Sequence, residues 1–137
     1  VRITVVDGQG GGIGKLIVEK IRKALPDSEI IALGTNALAV SLMLKAGAND
    51  GASGENAIIV NAPSADIIVG SLNILLANSM LGEFTPGMAR AISESKALKL
   101  ILPITRSSVE VIGSGSEPLP HQVDLLIKRI KNFSDPS

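Results

Sequence analysis

The stretch Asp7–Lys15, DGQGGGIGK, decides the fold, because the spacing of apolar residues changes period across it. Before it, Arg2–Asp7 reads RITVVD, a β-branched run that predicts a buried parallel strand. After it, Ile13, Leu16, Ile17, Ile21, Ala24 and Leu25 recur at helical spacing. The opposite helix face carries Lys15, Glu19, Lys20, Arg22 and Lys23, and Pro26 ends the helix.

The same alternation continues outward. Glu29–Leu33 predicts a second strand closed by Gly34, and Ala37–Ala46 a second helix, capped by Thr35 or Asn36 and stopped at Gly47. That helix is apolar nearly all round, which predicts cover on both sides and marks it as an interface element. A brief third strand is expected near Ala48–Gly51, then a helix that Ser53 caps, running from Gly54 toward Asn61 and ended by Pro63. Asp66–Val69 predicts a fourth strand. The nearly continuous apolar run Leu72–Leu81 is open to helix or strand, with Gly82 favouring helix. Thr85 and Pro86 open a helix to about Glu94, and Ala97–Ile104 predicts a fifth strand. Val109–Ile112 predicts a short sixth strand, Gly113–Pro118 a polar loop, and Pro120 a final helix whose Lys128, Arg129 and Lys131 suit its carboxyl end. Asp135–Ser137 is expected to fray.

Strands separated by helices cannot pair as hairpins. The expectation is therefore one α/β domain over residues 1–137: a single doubly wound, mostly parallel sheet, Rossmann-like, with helices on both faces. In such a sheet ligands bind outside the carboxyl ends of the strands at the switch point, here between the first and fourth strands. Gly8–Gly14, Gly34–Asn36, Gly70–Asn73 and Pro103–Ser108 converge there.

Composition narrows the function. Thirteen Lys and Arg balance 13 Asp and Glu among 137 residues, so no positive field exists to attract nucleic acid or an anionic membrane. Phe84 and Phe133 are the only aromatics, which leaves no base-stacking platform. Without cysteine there is no disulfide, thiolate nucleophile or zinc ribbon. The mean hydropathy of +0.37 is high for a small soluble domain. Yet Ile67–Leu81 is too short and too interrupted by polar residues to span a bilayer, so the surplus predicts a subunit interface and a homo-oligomer. Val1–Val6 leads straight into a strand without signal-peptide features, so a cytoplasmic location is the default.

Five of the seven residues Gly8–Gly14 are glycine, a conformational cost that calls for a reason. Lacking Cβ atoms, such a loop lets a phosphate approach the backbone, meet amide hydrogens and face the positive end of the helix dipole. GxGxxG begun at Gly8 places Ile13 at its third glycine and fails. The P-loop pattern registered on Gly14 and Lys15 places Gln9 at its first glycine and Leu16 at the metal-binding hydroxyl, and fails twice. GxxxGxG fits Gly8, Gly12 and Gly14. There the loop resembles the TGxxxGIG turn of the short-chain dehydrogenase/reductase family, which implies a nucleotide cradle. Asp7 replaces that family's usual threonine, and a carboxylate beside a pyrophosphate is unfavourable unless it bonds the loop amides. The chain has no tyrosine, so the family's Tyr and Lys chemistry does not carry over.

A wider resemblance covers nearly the whole chain. VVDGQGGGIGK, IALGTNALA, AGANDGASGENAI and ANSMLGE are similar to a family of short bacterial proteins classed as a domain of unknown function, which implies a Rossmann-like fold and no assigned activity.

The candidate ligand residues are thus Gly8, Gln9, Gly10, Gly11, Gly12, Ile13 and Gly14 for phosphates, Thr35 and Asn36 for the ribose end, and Ser71 or Asn78 for the remainder. Thr35 and Asn36 suit a hydroxyl or a phosphate equally, so NAD and NADP stay open, and either residue can simply cap a helix. Asn73, Asn78 and Ser79 contact a ligand or bond neighbouring backbone. Arg106 pairs with a second phosphate or is merely solvated. His121 is read as a surface residue, Asp7, Asp50, Glu55 and Asp66 lack metal-ligand spacing, and no GxSxG elbow occurs. The leading expectation is a nucleotide-binding protein, with NAD(P) as ligand and no complete catalytic machinery of its own. The alternatives are an oxidoreductase with an interface active site and a non-enzymatic assembly module whose glycines are architectural.

Overall fold

The structure, a computed structural model, describes residues 1–133. Five strands form one sheet: β1 (Arg2–Asp7), β2 (Glu29–Gly34), β3 (Asp50–Ser53), β4 (Ile67–Ser71) and β5 (Leu98–Leu102), in the order β3-β2-β1-β4-β5. Every pairing is parallel. Between and after them lie α1 (Gly12–Ala24), α2 (Ala37–Ala46), α3 (Glu55–Asn61), α4 (Pro86–Glu94) and α5 (Leu119–Lys131). This is the expected doubly wound α/β architecture.

The period of two along the strands sorts residues onto the faces. Ile3 and Val5 of β1, Ile30 and Ala32 of β2, and Ile67 and Val69 of β4 share one apolar core with Ile17 and Ile21 of α1, Met43 of α2 and Val123 of α5. The register sets them side by side: Ile3 opposes both Ile30 and Ile67, and Val5 both Ala32 and Val69. Val6, Leu33 and Ile68 point the other way, into a core with Ile58 of α3, Met88 and Ile92 of α4, and Phe84. Winding outward from β1 in one direction and from β4 in the other places α1 and α4 on opposite faces, as right-handed crossovers require. The switch point therefore lies between β1 and β4.

Local signals explain most element ends. Asn36 Oδ1 accepts the Ala39 amide at 2.9 Å and caps α2, while Thr85 Oγ1 accepts the Met88 amide at 3.1 Å and caps α4, with Pro86 following. At the amino-terminal rim of the sheet, the Arg22 guanidinium donates to the carbonyls of Gly47, Pro26 and Ser28 and to Asn49 Oδ1, at 2.7–2.9 Å. Asn49 Oδ1 also accepts the Ile30 amide, so one side-chain cluster joins α1, α2 and β2.

Four expectations need correction. Leu72–Leu81 is not a helix: one 3₁₀ turn covers Leu72–Leu75, and the chain then folds back through an antiparallel bridge between Ser79 and Phe84. Ile74 and Phe84 enter the core, whereas Leu81 is 99% exposed. Val109–Ile112 forms no strand; it is an exposed loop closed by the Ser114 amide on the Val111 carbonyl. The third strand starts two residues later than expected, because Ala48 and Asn49 still bond the end of α2 and the Ile30 carbonyl. Gly54, at φ +103°, precedes α3 without any side-chain cap, so Ser53 does not serve. The expected fraying of Asp135–Ser137 lies outside the described residues.

Candidate functional site

At the carboxyl ends of β1, β4 and β5 lies a cleft of about 640 Å³, within the range of small-molecule sites. Its floor is the loop Asp7–Ile13. One wall comes from Asn73 and Asn78–Leu81 after β4, the other from Ile104–Ser107 after β5, with Leu119 of α5.

The five glycines divide into two kinds. A Cβ on Gly8 would sit 2.5 Å from Thr35 Oγ1 and 2.6 Å from Met80 Sδ, and one on Gly14 2.7 Å from Met43 Sδ and 2.8 Å from Asp7 Cβ. Gly11, at φ +75°, would bring its Cβ within 2.8 Å of the Ala39 backbone. These three are required by turning and packing. A Cβ on Gly10 or Gly12 meets nothing within 4 Å, so the folded protein supplies no steric reason for either.

The loop amides divide in a similar way. Asp7, the buried last residue of β1, accepts the Gly8 amide on Oδ1 at 2.7 Å and the Gly14 amide on Oδ2 at 2.6 Å. Its carboxylate thus bonds the loop instead of lying idle beside it. Burial pushes its pKa up, the two amides pull it down, and the charge of Glu83 pushes it up again, leaving it raised. The Gln9 amide donates to Glu83 Oε1 at 2.7 Å and the Gly11 amide to the Gly8 carbonyl at 3.0 Å. The amides of Gly10, Gly12 and Ile13 have no acceptor among the described residues. Those of Gly12 and Ile13 belong to the first turn of α1, where no carbonyl of the helix itself can reach them.

Glu83, which the sequence reading did not single out, does not line the cleft but ties the glycine loop to the end of β2. It follows Gly82 at the end of the fold-back segment, and Oε1 gathers Thr35 Oγ1, Asn36 Nδ2 at 2.7 Å and the Gln9 amide. Burial raises its pKa, but these three donors outweigh burial and leave it lowered. The segment that carries it holds Asn78, Met80 and Leu81 at φ between +56° and +64°. Non-glycine residues rarely adopt that conformation, which concentrates at functional and strained sites.

Of the remaining candidates, Gly8–Ile13 and Asn78 line the cleft, and Gly14 packs beneath it. Thr35 and Asn36 stand at the carboxyl end of β2, beside the loop, where Asn36 Nδ2 also donates to the Gln9 carbonyl at 3.0 Å. Ser71 does not line the cleft; it is buried and its Oγ accepts the Asn73 amide at 3.3 Å. Asn73 is tied on both sides, accepting from Thr105 on its side chain at 2.8 Å and from Ser79 on its carbonyl at 2.6 Å. Arg106 is exposed and, among the described residues, is the only cationic side chain lining the cleft. His121 is exposed, faces Glu117 at 3.0 Å and does not line the cleft. Among the described residues, no group of three His, Asp or Glu side chains is placed to hold a metal ion, and no helix is long and apolar enough to cross a membrane.

Residues 2–135 match the model of a family described as a domain of unknown function, DUF3842. The chain belongs to that family. The match spans both halves of the DUF3842 sheet, so the glycine loop, the Glu83 segment and the Arg106 loop all fall within it. No curated protein matches the chain.

Proposed function

We propose that the cleft binds a phosphorylated nucleotide, NAD(P) foremost, and that the chain lacks complete catalytic machinery of its own. The observation that carries this reading is the coincidence of two sets: Gly10 and Gly12, whose missing side chains the fold does not require, and the acceptor-free amides of Gly10, Gly12 and Ile13. Backbone donors in open space at a helix amino end suit an oxyanion. Arg106 supplies a cation on the facing wall, and Ile13, Ile104 and Leu119 supply apolar surface for a ring.

The test is nucleotide binding by the wild type and by Gly12→Val. The added side chain points into open space, so the variant should keep its fold by circular dichroism. A ligand at a hundred times its dissociation constant stabilises by about 2.7 kcal/mol, a shift of several degrees in Tm. We expect that shift in the wild type and its loss in the variant; equal affinity in both overturns the site.

A second reading rests on the carboxylates. Asp7 and Glu83 together hold the Gly8, Gln9 and Gly14 amides, which suits an assembly module whose loop is closed by its own side chains. It requires that no nucleotide alter the melting curve. In either case α2 presents Leu38, 60% exposed, and Leu44, and we propose it as the homo-oligomer contact. Light scattering on Leu38→Lys tests it, with a lower mass than wild type expected.

A further inference from the structure

The sheet ends differently at its two edges. β3 reads DGAS, short and polar, as protected edges are. β5 reads LKLIL, with Leu98–Ile101 only half-buried, and no strand among the described residues covers its outer side. The Leu98 amide donates to the Asp66 carbonyl on the β4 side at 3.0 Å, so by alternation the amides and carbonyls of Lys99 and Ile101 face outward. Lysine commonly guards such an edge, but Lys99 Nζ donates back to the Ser95 and Ala97 carbonyls of its own chain. A groove of about 340 Å³ runs between β5 and α5, with Leu100, Leu102, Leu125 and Leu126 in its lining.

The ends of that groove carry opposite charges. α5 begins with Leu119 in the cleft at the strand carboxyl ends and finishes with Ile130 and Lys131 beside Val1 and Glu29 at the strand origins. Glu117 therefore marks the carboxyl end of the groove and Arg129 the amino end, roughly 15 Å along the helix and too far to pair within one chain. Arg129 has no carboxylate partner among the described residues, and Glu117 faces only His121, through Oε2.

We propose that a second copy of this chain adds to the β5 edge, antiparallel, about a twofold axis at Leu100, so that one sheet continues through two chains. This is independent of the nucleotide reading and of α2, which packs on β2 and β3 at the other side of the sheet. The axis sets Lys99 opposite Ile101 of the second copy, and Ile101 opposite its Lys99. Both residues present amide and carbonyl to the edge, so each of the two pairs exchanges two bonds. Leu98 then opposes Leu102, and Leu100 its own counterpart, in an apolar row on the α5 face. Antiparallel order also reverses the groove, which brings Glu117 of each copy toward Arg129 of the other. Strand and charges are thus complementary to themselves, which selects a copy of the chain over an unrelated strand.

The experiment is sedimentation velocity over a concentration series on the full chain carrying Leu38→Lys, which removes the contact proposed for α2. That chain should form a dimer. Adding Glu117→Arg or Arg129→Glu, with the fold checked by circular dichroism, sets like charges against each other at both ends and should weaken the dimer roughly tenfold or more. Adding both together should recover it. A monomeric Leu38→Lys chain overturns the proposal and leaves the nucleotide reading standing. So do folded single charge variants that associate as before, or a folded double variant no tighter than the singles. If a charge variant does not fold, amide exchange in the wild type decides: protection of Lys99 and Ile101 should grow with protein concentration, and exchange independent of concentration overturns the edge pairing.

Discussion

Asp7 Oδ2 receives the amide of Gly14 at 2.6 Å, so the last residue of β1 holds the first turn of α1 across the glycine loop. Asp7→Asn keeps one acceptor for two amides and turns an NH₂ group toward the other. An unsatisfied buried donor costs about 1–3 kcal/mol, and a fall of that size is expected in denaturant midpoint with the slope unchanged. The pH dependence has a definite sign. The folded pKa of Asp7 is raised, so its contribution is full below about 3.9, the ordinary Asp value, and fades as pH rises through the folded value. The gap between wild type and Asp7→Asn should narrow from acid toward neutral pH; a widening gap contradicts the assignment.

Glu83 behaves in the opposite sense. Its folded pKa is lowered, so its contribution is present above about 4.3, the ordinary Glu value, and disappears as pH falls through the folded value. Thermal melts of wild type and Glu83→Gln should differ at neutral pH and converge in acid. Parallel curves throughout would mean the bonds to Thr35, Asn36 and Gln9 contribute nothing.

Two glycine substitutions should separate packing from openness. Gly14→Ala forces a Cβ against Met43 and Asp7 and should cost about 1–3 kcal/mol. Gly12→Ala meets nothing and restricts the unfolded chain, so it should be neutral or stabilise by up to about 1 kcal/mol. Urea denaturation distinguishes them, and a reversed order would show that the loop is packed differently.

Phe84→Ala removes a fully buried ring and should cost about 3–5 kcal/mol. Because the Phe84 backbone also bonds Asn78 and Ser79, amide exchange in residues 78–83 should accelerate more than global unfolding explains. Uniform acceleration would separate the ring from the fold-back segment. Thr85→Ala, by contrast, loses a cap on α4 and should cost about 1 kcal/mol in the same assay.

The fold was legible wherever apolar period and punctuation agreed. Ala37–Ala46 and Pro86–Glu94 occupy the spans read from their caps and stops, and the β1 and β4 switch point follows from strand and helix alternation. Reading failed where tertiary partners decide. Leu72–Leu81 has apolar residues enough for a helix, yet Ile74 and Phe84 fill the core only if the chain doubles back, which puts Met80 and Leu81 at positive φ without any sequence mark. Val109–Ile112 has strand composition and no strand pairing. In the candidate site the glycine loop was visible because its signal is local. Glu83 was invisible because its partners stand 48 and 74 residues away, and nothing near Gly82 announces a carboxylate reaching back to β1 and β2.

The Arg22 cluster sets the mechanical character of the opposite rim. Its guanidinium stitches three carbonyls and Asn49 into one knot at the strand origins, far from the cleft. The strand origins are thus held together by bonds that owe nothing to the loops at the carboxyl ends, so substitutions in the glycine loop leave this fastening of α1, α2 and β2 intact.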